Sequence, residues 1–113
     1  MQLVDKPISM AKLKKLAKSR FGNFVKAVVD IEKNVMVIDA ELHSDEEAHL
    51  LEKGATQKNL WGINLYPFEK SSNFIEFDSM INVRPSQANP DRGVCDPEIR
   101  QRIAQIIEKL IKK

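Results

Sequence analysis

The stretch Val25-Lys26-Ala27-Val28-Val29-Asp30-Ile31-Glu32-Lys33-Asn34-Val35-Met36-Val37-Ile38 decides the fold class of this chain. Apolar residues occupy every second position before and after Lys33-Asn34, which is the period of a β-strand that buries one face. Asn34 tolerates the positive φ that a two-residue turn requires. The pattern therefore predicts a β-hairpin that pairs Glu32 with Val35, so that the apolar residues of both strands share one face.

Helix patterns lie on either side of this hairpin. Ser9 can cap a first helix that ends at Gly22. The apolar residues of this helix fall on one side and are Met10, Leu13, Leu16, Ala17 and Phe21. After the hairpin, Ser44 and Glu47 fit a capping box, which predicts a short second helix that closes at Gly54.

The second half of the chain predicts two more strands and a last helix. Leu60 to Tyr66 alternates as a strand does, and Pro67 ends it. Ile75 to Arg84 alternates again and can pair with the preceding strand as a second hairpin. Asp96, followed by Pro97, caps a final helix. Its apolar stripe is Ile99, Ile103, Ile106, Ile107, Leu110 and Ile111.

These elements follow each other in the order α-β-β-α-β-β-α, with a loop over residues 85–95. Pairs of consecutive strands separated by helices predict an α+β fold in which helices pack on an antiparallel sheet. We therefore expect a single α+β domain over residues 1–113, with a four-stranded sheet built from two β-hairpins and packed with three helices.

The composition is that of a globular protein in a reducing compartment. The chain has 113 residues, of which 42% are hydrophobic and 30% are charged. Its single cysteine, Cys95, cannot form an internal disulfide, and a Cys/His zinc framework is absent. No apolar run approaches the about 20 residues of a membrane span, and the first residues do not resemble a signal peptide. We expect a cytoplasmic protein that does not enter a membrane, and we assign it no metal and no cofactor.

The charges are unevenly distributed although the formal net charge is only +2. Residues 1–22 hold six basic side chains and one acidic one, and residues 97–113 hold five basic and two acidic ones. One interpretation is two basic helices beside an acidic sheet. The other is a basic surface for nucleic acid, contacted through Lys12, Lys14 and Lys15. The absence of a Gly-rich phosphate loop and of an aromatic platform argues against nucleic acid.

The predicted last strand carries the candidate site. Its alternation separates apolar residues on one face from polar residues on the other, interrupted only by Met80. The following loop can fold over the polar face. The candidate ligand-binding residues are Asn64, Glu76, Asp78, Asn82, Arg84, Gln87, Asn89 and Arg92. Arginine forks bind carboxylate or phosphate groups while amides and carboxylates fix orientation, so a small polar or anionic ligand is the leading hypothesis.

Three alternatives remain open for these residues. The first is an internal network in which Glu76 or Asp78 binds Arg84 or Arg92 and pins the long loop. The second is a small enzyme, a hydrolase or transferase, with one of these carboxylates as general base and one of the arginines as anion clamp; it requires a deep cleft and shifted carboxylate pKa values. The third is a protein-interaction module or homodimer that exposes an apolar patch on the outer faces of the hairpins. The residues for that patch are Val28, Val35, Val37 and Met80.

Glu41 and His43 are secondary candidates beside the acidic start of the second helix. A metal or acid–base site is conceivable there. However, His43 precedes the predicted N-cap, so helical geometry between His43 and Glu47 cannot be assumed. Acidic residues at a helix start are explained by the helix dipole, and the sequence therefore predicts no metal site.

Three segments carry a resemblance to a known family. They are Glu41-Leu42-His43-Ser44-Asp45-Glu46-Glu47, Leu60-Trp61-Gly62-Ile63-Asn64-Leu65-Tyr66-Pro67 and Ile75-Glu76-Phe77-Asp78-Ser79-Met80-Ile81-Asn82-Val83-Arg84-Pro85-Ser86-Gln87. The chain resembles a family of small uncharacterised microbial proteins, a domain of unknown function. The likeness extends to Asn89, Arg92-Gly93 and Asp96. It implies no substrate, cofactor or catalytic residue.

Overall fold

The computed structural model describes residues 1–113 and contains three α-helices. They are α1 (Met10–Arg20), α2 (His43–Glu52) and α3 (Pro97–Leu110). The strands are β1 (Gln2–Val4), β2 (Ile8–Ser9), β3 (Val25–Asp30), β4 (Val35–Ile38), β5 (Leu60–Leu65), β6 (Ile75–Glu76) and β7 (Ile111–Lys112). None of the helices combines the length and the apolar sequence needed to cross a membrane.

The α+β class and the three helices are confirmed, but the sheet differs from the predicted one. It has five antiparallel strands in the order β1-β4-β3-β5-β6, and β2 and β7 form a separate parallel pair. The extra strand is β1, where Leu3 pairs with Val37 and Val4 with Met36. Three residues are too few to show a period, so the sequence pattern did not indicate this strand.

Both faces of the sheet are covered, so two of the four residues predicted to form an exposed apolar patch are buried, while Met80 is exposed and Val35 is half-buried. The main core lies between one face and the helices α1 and α3, and it includes Trp61 and Ile63. On the opposite face, Val28 and Val37 are completely buried together with Leu50 of α2. Because α2 crosses this face, both faces carry apolar residues instead of one.

The first hairpin forms with a different register. Asp30, rather than Glu32, pairs with Val35, and residues 31–34 form the turn. The Asp30 carboxylate accepts hydrogen bonds from the backbone N–H groups of Glu32 (2.9 Å) and Lys33 (3.2 Å), which stabilises the longer turn. Asn34 has the predicted positive φ, at 59°. The register moves by two residues, so every side chain keeps its predicted face.

The outer helices begin as predicted, whereas α2 does not. The side chains of Ser9 and Asp96 accept the capping hydrogen bonds of α1 and α3. In α2 the N-cap is Leu42 without a side-chain cap, so the capping box of Ser44 and Glu47 is wrong. His43 is thereby the first helical residue instead of lying before the helix.

The predicted fourth strand, Ile75 to Arg84, is also wrong beyond its first two residues. After Glu76 the chain leaves β6 and forms a 3₁₀ turn at Met80–Asn82. Ser79 then packs directly over Gly62, where a Cβ at Gly62 would lie 2.6 Å from the Ser79 Cβ. The interruption of the alternation at Met80 was the sequence signal for this departure.

Candidate functional site

A row of polar side chains crosses three strands on the face that α2 partly covers. Lys26 of β3 pairs with Asn64 of β5, and Asn64 pairs with Glu76 of β6. Side chains opposite each other on neighbouring strands share a face, so these three lie side by side. Lys26 was not among the predicted site residues, although the alternation of the first hairpin already placed it opposite the core.

Asn64 and Glu76 are joined by direct hydrogen bonds. The Asn64 amide nitrogen donates to the Glu76 carboxylate at 2.8 Å and to the backbone carbonyl of Asp78 at 3.3 Å. The Tyr66 hydroxyl donates to the same carboxylate at 3.0 Å. Partial burial, and then this hydrogen bond, raise the pKa of Tyr66. Asn64 is 7% exposed, and its amide oxygen has no hydrogen-bond partner in the protein.

Asp78 and Arg92 form an ion pair at the surface beside this row. The Arg92 Nε donates to the Asp78 carboxylate at 2.6 Å, and the two side chains are 53% and 42% exposed. This hydrogen bond raises the pKa of Arg92. The backbone N–H of Ser79 donates to the Arg92 carbonyl at 2.9 Å and holds the loop against the strand segment. The predicted convergence of residues 64, 76, 78 and 92 is therefore present in the structure.

His43 lies at the start of α2, beside strand β5. Its Nε2 is 2.8 Å from the backbone carbonyl oxygen of Ile63. A carbonyl only accepts, so Nε2 carries the hydrogen and donates. Burial lowers the pKa of His43, which favours the neutral ring. The other ring nitrogen, Nδ1, makes no hydrogen bond within the protein and is an acceptor in this tautomer.

Lys26, His43 and Arg92 line a hollow of about 160 Å³, which we call the α2 hollow, whereas Asn64, Glu76 and Asp78 are not among its lining residues. Its lining residues are Lys26, Leu42, His43, Ser44, Ser79, Met80, Ile81 and Arg92. Two cationic side chains thus face the beginning of a ten-residue helix, where backbone N–H groups and the helix dipole also favour negative charge. The serines at positions 44 and 79 were not predicted as site residues, and no pattern in the sequence marks them.

Three predicted site residues make their hydrogen bonds to backbone groups within a buried network. The Asn82 amide bonds both backbone groups of Gly62, and Asn89 donates to the carbonyls of Asn82 (2.7 Å) and Gly93 (2.8 Å). Arg84 donates to the carbonyls of Ile81, Gln57 and Leu60. Because their polar groups are taken by backbone partners, we leave Asn82, Arg84 and Asn89 out of the proposed site.

Arg84 has two further neighbours. Its guanidinium carbon lies 4.7 Å from the centre of the Trp61 ring, and Glu47 approaches its Nη2 at 3.7 Å. Burial lowers the pKa of Arg84, and the charge of Glu47 opposes this change. Gln87 is exposed and donates to the carbonyl of Lys58 at 3.3 Å, next to this network and not in the α2 hollow.

Glu41 does not join His43. Its side chain is 76% exposed and lies 3.8 Å from Arg20, which is itself bonded to Asp39 at 3.0 Å. These residues line a separate hollow of about 420 Å³ on the other side of the start of α2. The two secondary candidates therefore belong to different places on the surface.

Glu46 is a buried titratable group that the sequence did not reveal. It is completely inaccessible and accepts a hydrogen bond from the backbone N–H of Ala40 at 3.1 Å. Burial raises the pKa of Glu46 to about 9, so the side chain is a neutral acid at pH 7. In the sequence, an acidic residue in the first turn of a helix is indistinguishable from one that faces solvent.

The fold and the site define a small α+β protein with a cationic hollow on a polar sheet face. The chain matches the family described as "Protein of unknown function (DUF5674)" over residues 2–110, and it belongs to that family. No curated protein and no solved structure matches the chain.

Proposed function

We propose that this protein binds a small oxyanion in the α2 hollow. The observation that carries the proposal is the convergence of Lys26, Arg92 and the start of α2 around one hollow. Charge-assisted hydrogen bonds to an anion are roughly twice as strong as neutral ones. Asp78 lies beside Arg92 and directs its guanidinium group, and it sets a limit on how much negative charge the site accepts.

The neutral His43 ring narrows the chemistry of the ligand. Its Nδ1 can accept a hydrogen bond, since Nε2 donates to Ile63. A ligand that carries a hydroxyl group next to its negative oxygens satisfies both Nδ1 and the two cations. Hydrogen phosphate and small hydroxycarboxylates have this combination. The volume of about 160 Å³ suits a ligand of this size.

The geometry favours binding over the enzyme hypothesis. The carboxylates of Glu76 and Asp78 are at the surface and already hydrogen-bonded, so the deep cleft that the hypothesis requires is missing. Arg84 donates to three backbone carbonyls and does not line the α2 hollow.

Phosphate and sulfate are a matched pair of probes for calorimetric titration at pH 7. The two ions have similar shape, but only hydrogen phosphate carries a hydroxyl donor. We expect phosphate to bind and sulfate to bind more weakly.

Arg92→Gln and Lys26→Gln should each weaken phosphate binding by about tenfold, the loss of one charge-assisted hydrogen bond of about 1.5 kcal/mol. Lys58→Gln, an exposed lysine outside the hollow, is the control. Phosphate affinity that is the same in Arg92→Gln and in the parent protein would contradict the proposal.

A further inference from the structure

The exposed side of α1 is a row of cations without acidic partners. Lys12, Lys14, Lys15 and Lys18 are all exposed, and none of them forms an ion pair. The opposite side of the helix is buried through Leu13 and Ala17. The charge of these four lysines is therefore available to a partner, whereas Arg20 at the end of the helix is paired with Asp39.

The parallel pairing of β2 with β7 extends this row. Ser9, which precedes α1, pairs with Lys112, which follows α3. The two segments with excess positive charge, residues 1–22 and 97–113, therefore meet on the face of the sheet opposite to α2. We call the surface formed by Lys12, Lys14, Lys15, Lys18, Lys112 and Lys113 the lysine face. A surface with excess positive charge attracts a partner of the opposite sign over a distance of about 10 Å at ordinary salt.

An aromatic ring lies within the lysine face. Phe68 is 44% exposed, and the ammonium groups of Lys14 and Lys18 lie 5.7 Å and 5.5 Å from its ring centre. Phe68 follows β5 in the chain, so the sequence did not associate it with the first helix. A ring flanked by cations is suited to a planar base, which can stack on the ring while the ammonium groups turn to the adjacent phosphates.

We propose that the lysine face binds single-stranded nucleic acid, with one base stacked on Phe68 and the backbone phosphates contacted by the lysines. A folded duplex hides its base faces, and a helix that lies in a membrane surface inserts a row of apolar side chains. Along α1 every apolar side chain except the small Ala11 is buried or half-buried, so the helix has no such row. This site is on the other side of the sheet from the α2 hollow and does not depend on it.

The test measures the fluorescence anisotropy of a labelled 12-nucleotide single strand as salt is raised from 20 to 300 mM. The expected affinity falls steeply with salt, with a slope set by the number of phosphates contacted. Lys14→Glu/Lys18→Glu should weaken binding by about tenfold or more at low salt. Phe68→Ala should weaken it by about fivefold or more, the usual loss of one stacked base.

Lys53→Glu/Lys58→Glu is the matched control, because it changes the same number of charges on exposed lysines between α2 and β5. It should retain most of the affinity of the parent protein. Circular dichroism of each variant confirms that it is folded.

Four results would overturn the proposal. They are no binding at 20 mM salt, equal losses in the control and in Lys14→Glu/Lys18→Glu, binding that Phe68→Ala leaves unchanged, and preferential binding to a duplex of the same length or to anionic phospholipid vesicles. The first two remove the lysine face as a binding site. Either of the last two would show that the surface does not select single-stranded nucleic acid and recognises negative charge alone.

Discussion

The side chain of Asn82 replaces a strand residue opposite Gly62. Its amide oxygen accepts from the Gly62 N–H at 2.8 Å, and its amide nitrogen donates to the Gly62 carbonyl at 2.9 Å. These are the two hydrogen bonds that a continued β6 would form with this position of β5. The Asn82 side chain thus satisfies the edge of β5 beyond the end of β6. The backbone of residues 77–84 is then free to leave the sheet and form one wall of the α2 hollow.

Replacing Asn82 should therefore destabilise the fold strongly. Asn82→Ala leaves both backbone groups of Gly62 without their partner and removes one of the two hydrogen bonds to the carbonyl of Arg92. Because buried unsatisfied polar groups each cost about 1–3 kcal/mol, we expect a loss of about 3 kcal/mol or more in the free energy of unfolding, measured by urea titration. Asn73→Ala is the control, since Asn73 is exposed and its side chain makes no hydrogen bond. Similar losses in the two variants would contradict the strand-like role of Asn82.

Gly62 should not tolerate a methyl group. A Cβ at this position lies 2.6 Å from the Ser79 Cβ and 3.1 Å from Ile81 Cγ1. We expect Gly62→Ala to lower the free energy of unfolding by about 1–3 kcal/mol through overpacking. Adding Ser79→Gly removes the nearest atoms, so the double variant should recover part of this loss relative to the sum of the two single variants. Strict additivity would show that the contact between these two residues is not the cause.

Arg84 and Arg92 should respond differently to the same substitution. Arg84→Lys replaces a fork that reaches three carbonyls by a single ammonium group, which leaves buried acceptors unpaired. We expect a loss of about 3 kcal/mol in the free energy of unfolding. Arg92→Lys alters an exposed pair and should leave the unfolding midpoint almost unchanged. Equal shifts in the two midpoints would place both arginines in the same structural role.

Glu46 should make the stability depend on pH. Its pKa is about 9 in the folded protein and close to 4.5 in the unfolded chain, so the folded state retains a proton that the unfolded state has lost between these values. The contribution of Glu46 to the free energy of unfolding is fully present below pH 4.5. It is lost progressively as the pH rises toward 9, by up to about 1.4 kcal/mol per pH unit.

Glu46→Gln should remove this dependence because the amide is neutral at every pH. We expect the variant and the parent protein to have similar stability near pH 4, and the variant to be more stable at pH 8. Thermal unfolding at several pH values measures the difference. Parallel stability profiles across this range would show that Glu46 does not titrate as its burial predicts.

Asp78→Asn tests whether this carboxylate serves the fold or the ligand. Asp78 is exposed and its partner Arg92 is more exposed still, so the free energy of unfolding should change little. The substitution removes the negative charge that pairs with Arg92 of the α2 hollow, and phosphate affinity should therefore increase. Urea unfolding and calorimetric titration measure the two quantities. A large loss of stability without a gain in phosphate affinity would instead assign Asp78 to the network that pins the loop.

The candidate site was only partly predictable from the sequence. The polar face of β5 and β6 was visible because alternation is a local pattern, and it correctly grouped Asn64, Glu76 and Asp78. The role of Arg84 was not visible, since an arginine at an alternating position has the same pattern whether it meets solvent or backbone carbonyls. Phe68 and Lys14 are 54 positions apart, so only folding shows that they meet.

The sequence by itself determined the helices α1 and α3 and the sides of β3, β4 and β5, because capping residues and apolar periods act between residues that are close in the chain. The tertiary structure decided what covers each side. The packing of α2 buries the second face of the sheet, the Asn82 amide ends β6, and the desolvation of Glu46 sets its protonation. These outcomes depend on the free energy of bringing distant groups into contact, and no local pattern in the chain records that energy.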